Sequence, residues 1–365
     1  VYKVLGVGGK MQTVSLGSSP LSLQQTRLWS MQSENSAFHA QCAVIVEGPL
    51  RIDLLQRALQ EMVQQHEILH TVFHYLPGID VPVQVEIDGG QLSCPVINLD
   101  GLDASISDAQ IERLWEQCSS EPFNLAQGPL FRCAFLRLSQ EIHLLFLCFS
   151  AFSADTITLR AFVDQLCQVY TAILHHRALA NEPLQYADVS AWQNDLLQEE
   201  DADLHKEFWG RFSMEDSAAL HLPYERAIAA ASFDPAVCPL ALEAELSAWI
   251  LQLTQEYRVT PEALILTCWQ LLITRLTAAA SFVVGVACDG RNYEELTDAL
   301  GLYTRYVPLR ANFENNQPFA RVLANVSRSL EDAKKRQYYF APDPEEEQPF
   351  TITFMAEQWP AEFAG

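Results

Sequence analysis

The chain is short of positive charge. Its 365 residues carry 23 Lys and Arg against 46 Asp and Glu, a formal net charge of −23. A surface of that sign repels phosphate backbones and anionic lipid, which argues against nucleic-acid and membrane-surface partners. No apolar run approaches the ~20 residues that a membrane-spanning helix needs, and no charged-then-apolar leader pattern opens the chain. The first residues are Val1-Tyr2-Lys3 rather than Met, so the sequence reads as an excised, monomeric piece of something longer, with a cytoplasmic setting expected. Paired CxxC cysteines are absent too. The nine cysteines are scattered, and Cys133, Cys148, Cys167 and Cys268 fall inside apolar patterns, as buried free thiols of a reducing compartment would; no spacing supports a metal site. Gly6, Gly8 and Gly9 fall short of a dinucleotide fingerprint, so residues 1–20 read as a linker or tag-derived segment.

What is present is core-forming material. Apolar residues make up 49% and aromatics 10%, enough for two domains or lobes in a chain of this length. Helical spacing is expected over 22–31, 53–65 (Leu55, Leu59, Met62, Val63), 108–118 and 156–175 (Leu159, Phe162, Val163, Leu166, Tyr170, Ile173). Residues 41–47 alternate like a strand, and 131–138 with 142–149 read as an antiparallel hairpin turning at Ser139-Gln140-Glu141. The break at 180–183 places a lobe boundary there, giving lobes of 21–178 and 179–365. In the second, helices are expected over 189–213, 242–257 and 262–276. The last is capped by Thr260 with Pro261 at its first position and is apolar on nearly every side, so it should be central and fully covered. Strands follow at 282–288, 303–310 and 350–355, with an amphipathic helix at Phe319, Val322, Leu323, Val326 and Leu330 and a solvated loop holding Glu345-Glu346-Glu347. Strands and helices mixed in both halves give an α/β (α+β layered) class with two lobes.

Several segments in order resemble the motifs of one family. They are Leu21-Ser22-Leu23-Gln24-Gln25-Thr26-Arg27-Leu28-Trp29, then His66-Glu67-Ile68-Leu69-His70-Thr71-Val72-Phe73, then Phe123-Asn124-Leu125 with Gly128-Pro129-Leu130-Phe131-Arg132. Tyr186-Ala187-Asp188 with Trp192-Gln193 comes next, and Gly301-Leu302-Tyr303 through Val307-Pro308-Leu309-Arg310 closes the series. The sequence resembles the condensation domains of nonribosomal peptide synthetases. That resemblance implies two chloramphenicol-acetyltransferase-like lobes in a V with a tunnel between them. It also implies upstream and downstream peptidyl carrier domains as partners, each delivering a thioester on a phosphopantetheine arm. Arg27, His66, Ser153, Thr156, Trp192, Tyr303 and Arg305 are the motif positions expected along the tunnel. The family's last motif is not reached before Gly365, so the second lobe is expected to be incomplete at its C-terminal end.

The family's third motif has two histidines, three variable residues and Asp-Gly. The matching window here is Ser150-Ala151-Phe152-Ser153-Ala154-Asp155-Thr156, so Ser150 and Ala151 stand where the histidines would be and Thr156 replaces the glycine. Gln65, His70 and Arg305 depart from the pattern as well. Asp155 is expected, from the family pattern, to pair with Arg291 across the lobe boundary and to hold the loop rather than move a proton.

Other groups weigh less. His66, His70 and His74 step by four, but the helix should stop near His66, which favours packing histidines over ligands. Ser150 or Ser153 as a nucleophile would need an imidazole, and His143 lies seven residues back on the preceding strand. Trp192, Phe208 and Trp209 read as packing rather than a cofactor box. Three functions compete. One is a condensation-type domain whose amide-forming catalysis is lost or weakened and which docks carrier domains or a tailoring enzyme. The others are an active condensing enzyme relying on positioning or a non-histidine residue, and a CoA-dependent acyltransferase.

Overall fold

A computed structural model describes residues 2–5, 11–14, 18–31, 38–75, 81–179, 183–198, 202–212, 220–223, 225, 236–314, 316–341, 350–360 and 362–363. The acid triplet at 345–347 and the glycines at 6–9 lie outside them. The chain forms two compact units. The first takes Val1–Asp195, Arg291–Tyr303 and Gln358–Gly365, and the second takes Leu196–Gly290 and Thr304–Glu357.

The first unit is organised by a four-stranded sheet in the order β4-β9-β8-β7, built from β4 (His39–Glu47), β7 (Val96–Asn98), β8 (Phe131–Arg137) and β9 (Ile142–Ser150). Side chains alternate across a strand, so consecutive residues of β9 serve opposite faces. Phe149 meets Phe131 and Phe162 of α4 (Thr156–Leu174) on one face, with ring centroids 4.4 and 5.1 Å apart. Leu144 and Phe146 meet Leu136, Leu99 and the partly buried Ile111 and Leu114 of α3 (Ala104–Ser120) on the other. α2 (Ile52–Gln65) packs beside α4 through a stripe of Leu55, Ala58, Leu59, Met62 and Val63, the spacing of a helix with one apolar face.

A second sheet of this unit runs β3-β6-β5, from β3 (Ser18–Pro20), β5 (Thr71–His74) and β6 (Val83–Glu86). Its first strand falls inside the 1–20 segment expected to be a linker or tag-derived piece. Ser18–Pro20 pairs with Val83–Val85, and Tyr2–Leu5 (β1) pairs antiparallel with Met11–Val14 (β2). Strand pairing depends on a partner's backbone, so short, Gly-punctuated segments like these leave little local pattern to read.

α1 (Leu23–Met31) begins with a reciprocal cap. Ser22 Oγ accepts from Gln25 N at 3.1 Å, and Gln25 Oε1 accepts from Ser22 N at 3.0 Å, so two otherwise unpaired helix donors are satisfied. α5 (Tyr186–Leu196) stays with this unit: Ser190 Oγ donates to Pro20 O and Asn194 Nδ2 to Leu21 O. The chain therefore changes unit near residue 195, later than the break at 180–183.

The second unit has a sheet ordered β11-β10-β12, from β10 (Ser281–Cys288), β11 (Arg305–Asn312) and β12 (Thr353–Phe354). Its core joins Phe282, Val284, Val286, Val307 and Leu309 to Trp209 of α6 (Ala202–Trp209), Leu266 and Ile273 of α8 (Pro261–Thr277), and Val322, Val326 and Leu330 of α9 (Phe319–Arg336). Three expectations are corrected here. The long helix expected over 189–213 is two helices, α5 and α6, belonging to different units, and the sequence between them carries three successive acids, Glu199-Glu200-Asp201. The strand expected over 350–355 is only two residues long.

The helix expected to be covered all round is one-sided. Ile265, Trp269, Leu272 and Leu276 of α8 are between 39% and 53% exposed, next to α7 (Ala244–Tyr257), whose Trp249 is 59% exposed. Apolarity on every side of a helix shows what could be buried; among the described residues only one side has a sheet to meet. Cys268 follows the same pattern and is exposed, and Cys167 is only partly buried, whereas Cys133 and Cys148 are buried as expected. No helix among the described residues is long and apolar enough to cross a membrane.

Candidate active site

β9 ends at Ser150 and α4 starts at Thr156, so the residues between them form the loop where the family's histidines would fall. Backbone bonds pin it to distant segments. Ser150 N donates to Leu130 O at 2.9 Å, Ala151 N to Phe38 O at 3.0 Å, and Ser153 N back to Ser150 O at 2.9 Å. Gln25 Nε2 of α1 donates to Phe152 O at 3.0 Å and to Gln84 Oε1 at 3.1 Å, tying the first motif to the third.

At the far end of the loop Asp155 caps α4. Its Oδ1 accepts from Thr158 N at 2.7 Å and from Arg291 Nη2 at 3.0 Å, while Oδ2 accepts from Arg291 Nη1 at 3.0 Å and Tyr303 N at 2.9 Å. Both partners of this bidentate pair are under 9% exposed. A carboxylate offers roughly four acceptor sites, and these four donors occupy them, so the group holds geometry and has none left for proton transfer. Arg291 also donates to Thr158 Oγ1 at 2.8 Å and lies 4.4 Å above the Tyr303 ring. Thr158 Oγ1 donates to Gly301 O at 2.6 Å. The pair lies within the first unit, not across a boundary between lobes, because residues 291–303 fold into that unit around Asp155.

Gly301 closes this frame from behind. A Cβ there would come within 2.0 Å of the Tyr186 ring, so only glycine permits the approach. The Tyr186 hydroxyl donates to Leu302 O at 2.8 Å and lies 2.7 Å from Ser22 Oγ. Motif residues from α1, α4, α5 and the 291–303 segment thus meet in one hydrogen-bonded cluster.

The near end of the loop is chemically plainer. Ser150 is buried, and its Oγ accepts from Phe152 N at 3.3 Å. Ala151 is partly buried, and the buried Ser153 Oγ has no hydrogen-bond partner among the described residues. Strand register brings His39 directly opposite Ser150, which puts both side chains on one face of the sheet. His39 Nε2 is 3.1 Å from Glu121 O, and its ring packs on Phe123. Sequence inspection did not single out His39, because only the pairing of two strands far apart in the chain creates the proximity. His143 has the opposite parity on β9, facing away from Ser150, and stacks on Phe135 at 5.3 Å.

The remaining candidates disperse. His66 follows the end of α2 and is 2% exposed; burial holds its pKa down to about 4, partly opposed by a hydrogen bond to Gln165 and reinforced by neighbouring His70, so the ring is neutral at physiological pH. His70 lies between Val63 O, 2.8 Å from Nδ1, and Glu86 Oε1, 3.2 Å from Nε2, and His74 is exposed on β5. A helix C-cap, a 3₁₀ turn and a strand thus each hold one of the three. Arg27 is partly buried on α1, and Thr156 is the first residue of α4. Trp192 meets Tyr293 edge-on at 5.3 Å in the first unit, whereas Phe208 and Trp209 pack in the core of the second. Arg305 belongs to the second unit too, where it donates to Gln337 O and stacks over Tyr338.

Comparison with known proteins places this arrangement. The chain is 28% identical over 324 residues to chondramide synthase of Chondromyces crocatus, covering 87% of this chain but only 8% of that synthase. Its fold matches the first condensation domain of the CDA synthetase, with a TM-score of 0.80 at 20% identity over 93% of this chain and 80% of that one. It also matches the complex of the X-domain and OxyB from teicoplanin biosynthesis, with a TM-score of 0.69 at 22% identity over 96% of this chain and 77% of that one. A family model, described as the condensation domain, matches residues 16–343. With that match spanning residues 16–343, the protein belongs to the condensation domain family of the nonribosomal peptide synthetases.

Proposed function

We propose that this chain is a condensation-type domain that receives thioesters on the phosphopantetheine arms of upstream and downstream peptidyl carrier domains, with its amide-forming catalysis lost or weakened and a docking role in its place. One observation carries the reading. The only ionisable side chain of the loop after β9 is Asp155, whose carboxylate is taken by four donors, while Ser150 and Ala151 beside it offer no base.

A general base contributes about 10²–10⁴-fold to such a step, or roughly 3–5 kcal/mol of barrier. Alanine cannot take a proton, and serine is a poor base without an activating group. Some rate survives on chemistry alone. An α-amine with a pKa near ~8 is neutral in about a tenth of molecules at pH 7, and bringing two tethered reactants together lowers the barrier further. The docking role draws support from the X-domain of teicoplanin biosynthesis, a structural neighbour that was solved in complex with OxyB. The corresponding partner here is a tailoring enzyme.

The test is amide formation between donor- and acceptor-loaded carrier domains, followed by intact mass. The expected rate stays close to the uncatalysed one, and Ala151→His, alone or with Ser150→His, raises it by about 10²–10⁴-fold. Wild-type turnover a hundredfold or more above background would overturn the reading.

A further inference from the structure

The first unit holds two cysteines that play no part in the loop after β9. Strand β7 pairs parallel with β8, Val96 opposite Phe135, and Phe135 N donates to Pro95 O at 2.9 Å, one residue before β7 begins. Carried two residues back along that register, Cys94 comes opposite Cys133. Residues paired in this way point to the same face. Neighbouring strands lie about 4.8 Å apart, within the roughly 4.4–6.8 Å that a disulfide spans between Cα atoms. Cys133 Sγ also lies 3.8 Å from Ser93 O, so the sulfur sits against the backbone just before Cys94. The segment around Cys94 is pinned from α2. Gln56 Nε2 donates to Cys94 O at 3.2 Å, Gln60 Nε2 donates to Gly90 O at 2.8 Å, and Gln60 Oε1 accepts from Leu92 N at 2.9 Å. The fold therefore holds the two thiols together before any bond forms.

Their surroundings differ. Cys133 is buried and Cys94 only partly so, and a reagent in solution meets Cys94 first. A hydrogen bond with Cys133 holds the Cys94 thiol below its ordinary value, against the opposing effect of burial, while the same bond and burial push Cys133 up. The thiolate is the attacking form, which makes Cys94 the nucleophile and Cys133 the resolving thiol. Another neighbouring pair lacks that asymmetry. Cys148 Sγ donates to the Cys118 carbonyl at 3.5 Å rather than to its thiol, and burial pushes both thiols up, Cys148 to about 12.

We propose that Cys94 and Cys133 form a reversible disulfide by exchange with a low-molecular-weight disulfide of the glutathione class. The Cys94 thiolate attacks one sulfur of the incoming disulfide and expels one glutathione thiolate, leaving a mixed disulfide on Cys94. Cys133 gives its proton to the expelled thiolate and attacks Cys94 Sγ. The second glutathione then leaves and takes up the proton that Cys94 had released. Two protein thiols are oxidised to one disulfide, and the small disulfide is reduced to two thiols. The new bond ties the edge strand β7 to β8, next to residues 87–93, which line a cavity of about 530 Å³ together with 127–132. Oxidation therefore fixes one wall of that cavity to the sheet.

The reduced full chain is equilibrated with glutathione redox buffers, quenched with an alkylating reagent and mapped by mass spectrometry of unreduced peptides. Loss of two of the nine free thiols is expected first, with one cross-link joining the peptides of Cys94 and Cys133. Cys133→Ala stops at one glutathione on Cys94, and Cys94→Ser leaves Cys133 unmodified. Cys94 lies outside a strand and is only partly buried, so Cys94→Ser melts at the wild-type temperature, and the wild-type map itself needs no variant. A first disulfide between any other two cysteines, a wild-type glutathione adduct on Cys94 that never resolves, or a chain that keeps all nine thiols overturns the proposal.

Discussion

The two ends of the loop between β9 and α4 contrast sharply. At Asp155 every acceptor position is met by a donor, from Thr158 of α4 and from Arg291 and Tyr303 of the 291–303 segment, and a charged arginine is buried to do it. Four and five residues earlier, Ala151 and Ser150 hold nothing that titrates near neutral pH. The scaffold of a site and its reacting group are therefore separable. A buried ion pair is held in place by the cost of removing one partner, whereas a proton-accepting side chain contributes to rate and little to stability, so its absence leaves the frame standing.

That contrast can be broken from the scaffold side first. Arg291→Ala strands a buried carboxylate, and a loss of about 3–5 kcal/mol is expected; urea unfolding of the variant checks it, and a loss under 1 kcal/mol would show that Asp155 is not dependent on its partner. A smaller effect comes from the imidazole that this unit does bury. His66 titrates near 4 in the folded chain against about 6.5 unfolded, so the unfolded chain binds the extra proton between those values. Stability from this group is therefore full above pH 6.5 and falls as the pH drops toward 4, by up to about 3 kcal/mol. His66→Gln should flatten the stability–pH curve in that window, and an unaltered slope would assign the acid sensitivity elsewhere. The smallest effect belongs to the near end of the loop. Ser150→Ala removes the acceptor of the Phe152 N–H and is expected to cost about 1 kcal/mol in thermal unfolding. A loss as large as that of Arg291→Ala would mean the two ends are not distinct after all.

Much of the fold was legible because it is local. The stripe Leu55, Leu59, Met62, Val63, the Thr260–Pro261 start of α8 and the hairpin around Ser139 each state their element within a dozen residues. The exposed side of α8 was not legible, since its Ile265, Trp269, Leu272 and Leu276 are as apolar as the residues facing the sheet. Nor was the split of the helix expected at 189–213, because helical propensity does not say which unit each turn will pack against. At the site, the missing imidazole could be seen in the window 150–156 itself. His39 opposite Ser150 and the approach of Gly301 to Tyr186 could not, as both arise from segments far apart in the chain.

The sequence by itself determined the family, most helices and strands, and the chemical poverty of the loop at Ser150 and Ala151, since these depend on residue identity and short-range spacing. Only the tertiary structure decided that Asp155 is saturated by donors, that 291–303 folds into the first unit, and that His39 comes to lie opposite Ser150. Each of those is a question of which distant groups end up within about 3 Å, and hydrogen bonds and ion pairs lose their strength beyond that reach.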